Sequence, residues 1–191
     1  HFLTGVSYRL FGLTLRVSRL LPGLEPATHA GSPDITVEIA GGSAPWPSIP
    51  AANWVPAAPP LPVWRTKAEE GDYIFLARGR RHGPREWGIG FMVNPTGSRI
   101  WCGQTTDVPI RGITPVLLGP GFGCALRQRR RVVLHGAAVA VNGRAVVLLG
   151  ARGAGKSTTA LAMVRQGATL LADDMAVLFT ALVAFLFYGE R

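Results

Sequence analysis

The alternation of apolar and polar positions divides this chain into two parts. Tyr8-Arg9-Leu10-Phe11-Gly12-Leu13-Thr14-Leu15-Arg16-Val17 alternates around a glycine, which predicts a strand carrying a bulge. Asp34 to Ile39 alternates cleanly and sets Ile35, Val37 and Ile39 on one face. Residues 43–64 then hold seven prolines and three tryptophans. That proline density forbids a continuous helix or a central strand and predicts an ordered but irregular loop. Strand patterns resume at Tyr73 to Ala77, at Trp87 to Val93 and around Arg99 to Trp101. Short strands between Gly, Pro and Asn turns predict a β-rich N-terminal region.

From Ile113 to about Arg130 the pattern is broken by Gly119, Pro120, Gly121 and Gly123, and the expectation is a short helix ending in an arginine cluster. The remainder is more regular. Val132 to Leu134 leads into His135-Gly136, Ala137 to Val141 reads as a strand, and Asn142-Gly143 is a type I′ hairpin signal. The return run, Ala145 to Leu149, reads as a buried strand. Lys156 to Gln166 reads as a helix that buries Ala160, Leu161 and Val164, with Gly167 at its C′ position. Thr169 to Ala172 is the next strand, and it delivers Asp173 and Asp174 at its end.

Between that hairpin and that helix lies Gly150-Ala151-Arg152-Gly153-Ala154-Gly155-Lys156-Ser157, a complete G-x-x-x-x-G-K-[ST] pattern followed by Thr158. Strand before and helix after give the pattern its physical meaning. Amides of a glycine-rich turn at a helix N-terminus converge on phosphate oxygens. Lys156 then reaches the β- and γ-phosphates of ATP, and the Ser157 hydroxyl ligates Mg²⁺. The acidic pair beside the loop, Asp173 and Asp174, supplies one carboxylate for the metal and one for an acceptor hydroxyl. Two adjacent carboxylates at an apolar strand end are costly without a cation to balance them.

Composition narrows the setting. The chain of 191 residues is 48% hydrophobic and 16% charged, far from a disordered composition. Its net charge of +9 is mostly arginine, with clusters at Arg78, Arg80, Arg81 and Arg85 and at Arg127, Arg129, Arg130 and Arg131. Such surfaces suit phosphate-bearing or acidic partners, but no nucleic-acid-binding motif accompanies them, so no nucleic acid is expected. Two cysteines, Cys102 and Cys124, have no metal-ligand spacing and point to a reducing cytoplasm. The N-terminus shows no basic stretch followed by an apolar core, so no signal peptide is expected. The apolar run Met175 to Tyr188 is shorter than the roughly 20 residues that span a bilayer, so a buried core element and no membrane association are expected.

Leu134-His135-Gly136, the loop at 150–157 and Leu171-Ala172-Asp173-Asp174 together resemble the catalytic domain of HPr kinase/phosphorylase, in order and in approximate spacing. The resemblance covers about residues 132–178. It implies an α/β fold with a P-loop kinase-like core (strand, loop, helix, strand) over 126–191, preceded by a β-rich region over 1–125. It further implies that the loop binds ATP, that Asp174 acts as general base toward a serine of a protein or peptide acceptor, and that His135 assists. Related kinases assemble, so a homo-oligomer is compatible with it. The N-terminal region, with its Tyr-Arg-Leu-Phe-Gly opening, looks like HPr-kinase-related proteins found beside peptide-modification genes. The family continues past the acidic pair through a metal-binding Glu and a Gly-rich segment. Here the resemblance is expected to stop near Leu178 and the product to be truncated.

Two functions follow: an ATP-dependent serine kinase of this type, or an ATP-binding module without catalysis. A motor-type or transporter-type ATPase is disfavoured. Asp174 follows Ser157 by only 17 residues, and no Leu-Ser-Gly-Gly-Gln stretch exists.

Overall fold

A computed structural model describes residues 5–28, 31–40, 54–57, 63–78, 88–104, 109–151, 153–173 and 175–178. The chain divides into two compact units, 1–130 and 131–191. Asp174, Arg152, Trp87, the segments carrying Arg80, Arg81 and Arg85, most of the proline-rich stretch and the run beyond Leu178 lie outside the described residues.

The first unit is built on an eight-stranded mixed sheet. Its strands are β1 (Val6–Leu10), β2 (Leu13–Val17), β3 (Ile35–Ile39), β4 (Val55–Pro56), β5 (Val63–Ala68), β6 (Gly71–Arg78), β7 (Ile89–Val93) and β8 (Arg99–Gln104). They lie side by side in the order β1-β2-β3-β8-β7-β6-β5-β4, with β3 parallel to both β2 and β8. The expected bulge around Gly12 is instead a hairpin turn. Phe11 and Gly12 adopt φ of 50° and 72°, the two left-handed residues of a type I′ connection, and Tyr8 pairs with Leu15 across it. The irregular loop also ends sooner than expected, because Val63 and Trp64 already pair with Leu76 and Phe75. Val55–Pro56 forms the outermost strand, a position that proline tolerates.

Alternation sorts this sheet into two faces. Tyr8, Leu15, Val17, Ile35, Val37, Ile39, Ile100, Cys102 and Phe91 are buried on one. On it lies a helical segment: α1 (Ile110–Val116), a π-helical turn over Leu117–Gly121, and α2 (Phe122–Gln128). The segment is longer than the short helix expected. Pro120 cannot donate a backbone hydrogen bond, and the helix widens there rather than ending. Gly121 passes over Phe91, where a Cβ would sit 3.4 Å from the ring, and Phe122 stacks on Phe11 at 5.8 Å. The opposite face carries a second cluster of Tyr73, Phe75, Met92 and Trp101, with Trp54 and Trp64 against it. α2 ends at the arginine cluster as expected. Arg130 takes the left-handed C′ conformation, φ 58°, and its amide donates to the Arg127 carbonyl.

The second unit centres on one long strand, β9 (Val132–Val141). Asn142 and Gly143, with φ of 48° and 73°, turn it back into β10 (Arg144–Leu149), which confirms the type I′ hairpin. α3 (Lys156–Arg165) follows, then β11 (Thr169–Ala172) and β12 (Met175–Leu178). β10 pairs along one edge of β9, and β11 and β12 pair in succession along the other. Ala160 of α3 packs on Ala137 and Val139, with Val146, Leu148, Met163 and Val164 around them.

Two burial expectations fail in this unit. Leu161 is 52% exposed, because Ala160 and Val164 face the sheet while the neighbouring position turns about 100° away. β10 is half-buried at Val146 to Leu149 and exposed at Ala145, because among the described residues it is an edge strand with β9 as its partner. Among the described residues, no helix is long and apolar enough to cross a membrane.

Candidate active site

The connection from β10 to α3 begins at Gly150, directly after a strand that ends in Leu149. Gly153 and Gly155 have φ of 85° and 81°, left-handed conformations that other residues adopt only with strain. The Ala154 amide donates to the Ala151 carbonyl at 3.2 Å, which curls the segment into a turn. Gly155 is the N-cap of α3, and no side chain caps the helix there. The first turn of α3 contains no acidic residue. Its leading amides lie at the positive end of the helix dipole, with no capping side chain at Gly155.

Two side chains at the start of α3 reach away from it. The Lys156 ammonium donates to the carbonyls of Gly150 and Ala151 at 2.8 and 2.9 Å, so it lies across the turn that precedes it. The Ser157 hydroxyl donates to Asp173 Oδ1 at 2.8 Å. That bond ties the first turn of α3 to the residue that follows β11. Ser157, Thr158 and Asp173 are all exposed, as are Gly150, Ala151, Gly153 and Ala154.

β9 runs between the two halves of this arrangement. His135 pairs with Met175, Ala138 pairs with Ala172, and Gly136 pairs with Leu149. On β9, Gly136 and Ala137 lie between the pairs made with Ala172 and with Met175 along one edge. The end of β10 faces Gly136 from the other. His135 is exposed and, by alternation, lies on the face of β9 that also carries Ala137 and Val139. Of the expected site residues, hydrogen bonds join Lys156 to Gly150 and Ala151, and Ser157 to Asp173. His135 pairs with Met175, two positions past Asp173. Asp174 and Arg152 lie outside the described residues.

Gly136 is the residue that pattern reading undervalued. A Cβ placed on it would lie 2.5 Å from the Leu148 carbonyl oxygen and 2.8 Å from Leu149 Cδ2. The sequence signal was its place beside His135, but a close backbone approach cannot be seen in a one-dimensional pattern.

The donor set suits a hard cation that keeps much of its water. Among the described residues no group of three or more His, Cys, Asp or Glu side chains could hold a metal. One hydroxyl and one carboxylate oxygen, 2.8 Å apart and open to solvent, match the sparse protein ligation of Mg²⁺ that is completed by phosphate and water.

The profile of the family described as HPr Serine kinase C-terminal domain matches residues 127–189, about a third of the chain. The match runs on to residue 189, past the point near Leu178 where the likeness was expected to stop. A protein of Lactobacillus acidophilus named HPr kinase/phosphorylase is 45% identical over 53 residues, covering 28% of this chain and 16% of that protein. One of the same name from Lactobacillus delbrueckii subsp. bulgaricus is 48% identical over 50 residues, covering 26% and 16%. The likeness thus spans about a sixth of those relatives' length. No solved structure matches the chain. Residues 127–189, about a third of this chain, are thus similar to the HPr Serine kinase C-terminal domain.

Proposed function

We propose that residues 150–158 bind ATP with Mg²⁺, and that the C-terminal unit transfers the γ-phosphoryl group to a serine hydroxyl of a protein or peptide. The observation that carries this reading is the pair of contacts made by consecutive residues. Lys156 already lies over the turn, and Ser157 already reaches the acidic end of β11. The family likeness of residues 127–189 points the same way.

In this reading the amides of Gly153 to Ser157 hold the phosphate chain. The Lys156 ammonium leaves the carbonyls of Gly150 and Ala151 for the β- and γ-phosphate oxygens. Ser157 and Asp173 hold Mg²⁺, which neutralises charge on the transferring group when bound. Asp174 accepts the proton of the acceptor serine, and His135 assists. The serine oxygen forms a bond to the γ-phosphorus while the bond from that phosphorus to the β,γ-bridging oxygen breaks, and ADP leaves with the bond's electrons. Positioning and charge neutralisation supply most of the rate, as expected for phosphoryl transfer.

The test is Asp174→Asn, assayed for transfer from labelled ATP to serine-bearing peptides and proteins. The expected result is transfer reduced by about a hundredfold or more with nucleotide affinity unchanged. A wild-type chain that binds ATP but labels no acceptor would contradict the kinase reading and leave a nucleotide-binding module.

A further inference from the structure

We infer that Gly136 is a positioning residue for the nucleotide site: it sets the spacing between the phosphate loop and its acidic partner. This inference rests on the ATP–Mg²⁺ reading of residues 150–158 and goes beyond it, because Gly136 touches neither nucleotide nor metal.

The argument starts from the sheet. Among the described residues β9 lies between β10, which leads into the loop, and β11, which ends before Asp173. At Gly136 it faces Leu149, the residue before the loop, and along the other edge Ala138 and His135 pair with Ala172 and Met175. The backbones come so close there that the Leu148 carbonyl oxygen and Leu149 Cδ2 occupy the space of a side chain. The oxygen belongs to the main chain of β10 and cannot turn aside as a side-chain end would. A methyl group at position 136 must therefore push Leu148 and Leu149 away from β9.

The consequence falls on the loop, since Gly150 follows Leu149 directly. The carbonyls that hold Lys156 belong to Gly150 and Ala151, and Ser157 is held to Asp173 by a bond of 2.8 Å. β10 carries the start of the loop, whereas Asp173 is fixed by β11 on the opposite edge of β9. Widening the β9–β10 gap separates the two. Ser157, in the helix that the loop leads into, and Asp173 would hold Mg²⁺ and supply it with two oxygens, so its binding would be sensitive to that separation. Small losses of alignment around metal ligands commonly cost about ten- to hundredfold in affinity.

The experiment measures ATP binding to the full chain by calorimetry, with Mg²⁺ in excess and again with a chelator, for wild type, Gly136→Ala and Ala138→Gly. Ala138 lies on the same strand opposite Val147, two pairs removed from the Gly136–Leu149 pair at the loop. The expected result is that Mg²⁺ tightens ATP binding in wild type and in Ala138→Gly, and that this tightening falls about tenfold or more in Gly136→Ala. Binding in the chelator should change much less, a split that general loss of stability does not produce. If Gly136→Ala does not fold, Gly136→Ala/Leu149→Ala takes its place, because the second change removes the side-chain clash and leaves the one with the Leu148 carbonyl. Undiminished Mg²⁺ tightening in the folded variant overturns the inference while the ATP site stands. Absence of ATP binding by wild type overturns the site itself and this inference with it.

Discussion

The Ser157 hydroxyl donates to Asp173 Oδ1 at 2.8 Å, and this bond joins the start of one helix to the end of the strand that follows it. It is a contact between neighbours in space that stand 16 positions apart in sequence. Both side chains are exposed, so water would serve either group as well. A surface bond of this kind adds little to stability, but it places two oxygens where one cation can be shared.

Ser157→Ala is therefore expected to leave the melting temperature nearly unchanged and to remove most of the Mg²⁺ dependence of ATP binding. The loss should be about tenfold or more in the presence of Mg²⁺. Calorimetric titration with and without Mg²⁺, alongside a thermal melt, checks both parts. A large drop in melting temperature with intact Mg²⁺ dependence would assign the pair a structural role instead.

A second prediction concerns the N-terminal unit. Gly97 adopts φ of 64° in the turn between β7 and β8, and a Cβ there would fall on the Ala125 carbonyl oxygen of α2 and 2.8 Å from Arg129 Cγ. Arg129 in turn donates to the Asp34 carbonyl at 3.2 Å, while Asp34 Oδ2 accepts the Thr14 amide at 2.8 Å. The helix end, the turn and the start of β3 thus meet at one point. Gly97→Ala combines a strained backbone with a clash against main chain and should cost about 2–4 kcal/mol of stability. Denaturant unfolding followed by tryptophan fluorescence measures it, and a loss below about 0.5 kcal/mol would show that this junction yields.

The third prediction is a pH dependence. Burial pushes the Cys102 thiol up to about 12 and the Cys124 thiol to about 11. Burial, followed by a 2.7 Å hydrogen bond to Glu70, raises Tyr73 to about 12. All three groups keep their protons in the folded chain at pH values where the unfolded chain releases them. Their contribution is full below about pH 9 and is lost as pH rises toward 11 to 12. Stability in denaturant should fall steadily over that window, and both thiols should resist alkylation in the native protein at pH 8. Flat stability from pH 9 to 11 would contradict the burial of these groups.

Much of the candidate site was legible in sequence because it is local. The turn at 150–155, the helix it opens and the Asn142-Gly143 hairpin depend on neighbours a few positions away, and each stands where the pattern placed it. Phe11-Gly12 is ambiguous in sequence because a bulge and a two-residue turn leave the same trace, an interrupted alternation. The helical segment over 110–128 was shortened because glycine and proline usually end a helix, whereas a π-helical turn absorbs Pro120 here. Leu161 was placed inside on periodicity, although only the small Ala160 meets the sheet closely. The order of strands was out of reach altogether. β3 lies beside β8 through pairs such as Val37 with Ile100, more than sixty positions apart. The same holds for Gly136, whose significance lies in a main-chain oxygen across the hairpin.

The most direct test of the nucleotide site is calorimetric titration of ATP with Mg²⁺ into the wild-type chain and Lys156→Ala. The site requires binding by wild type and an affinity at least about a hundredfold lower in the variant, the scale of lost charge-assisted hydrogen bonds to phosphate. Equal affinity in the two, or no binding by the wild-type chain, would contradict it.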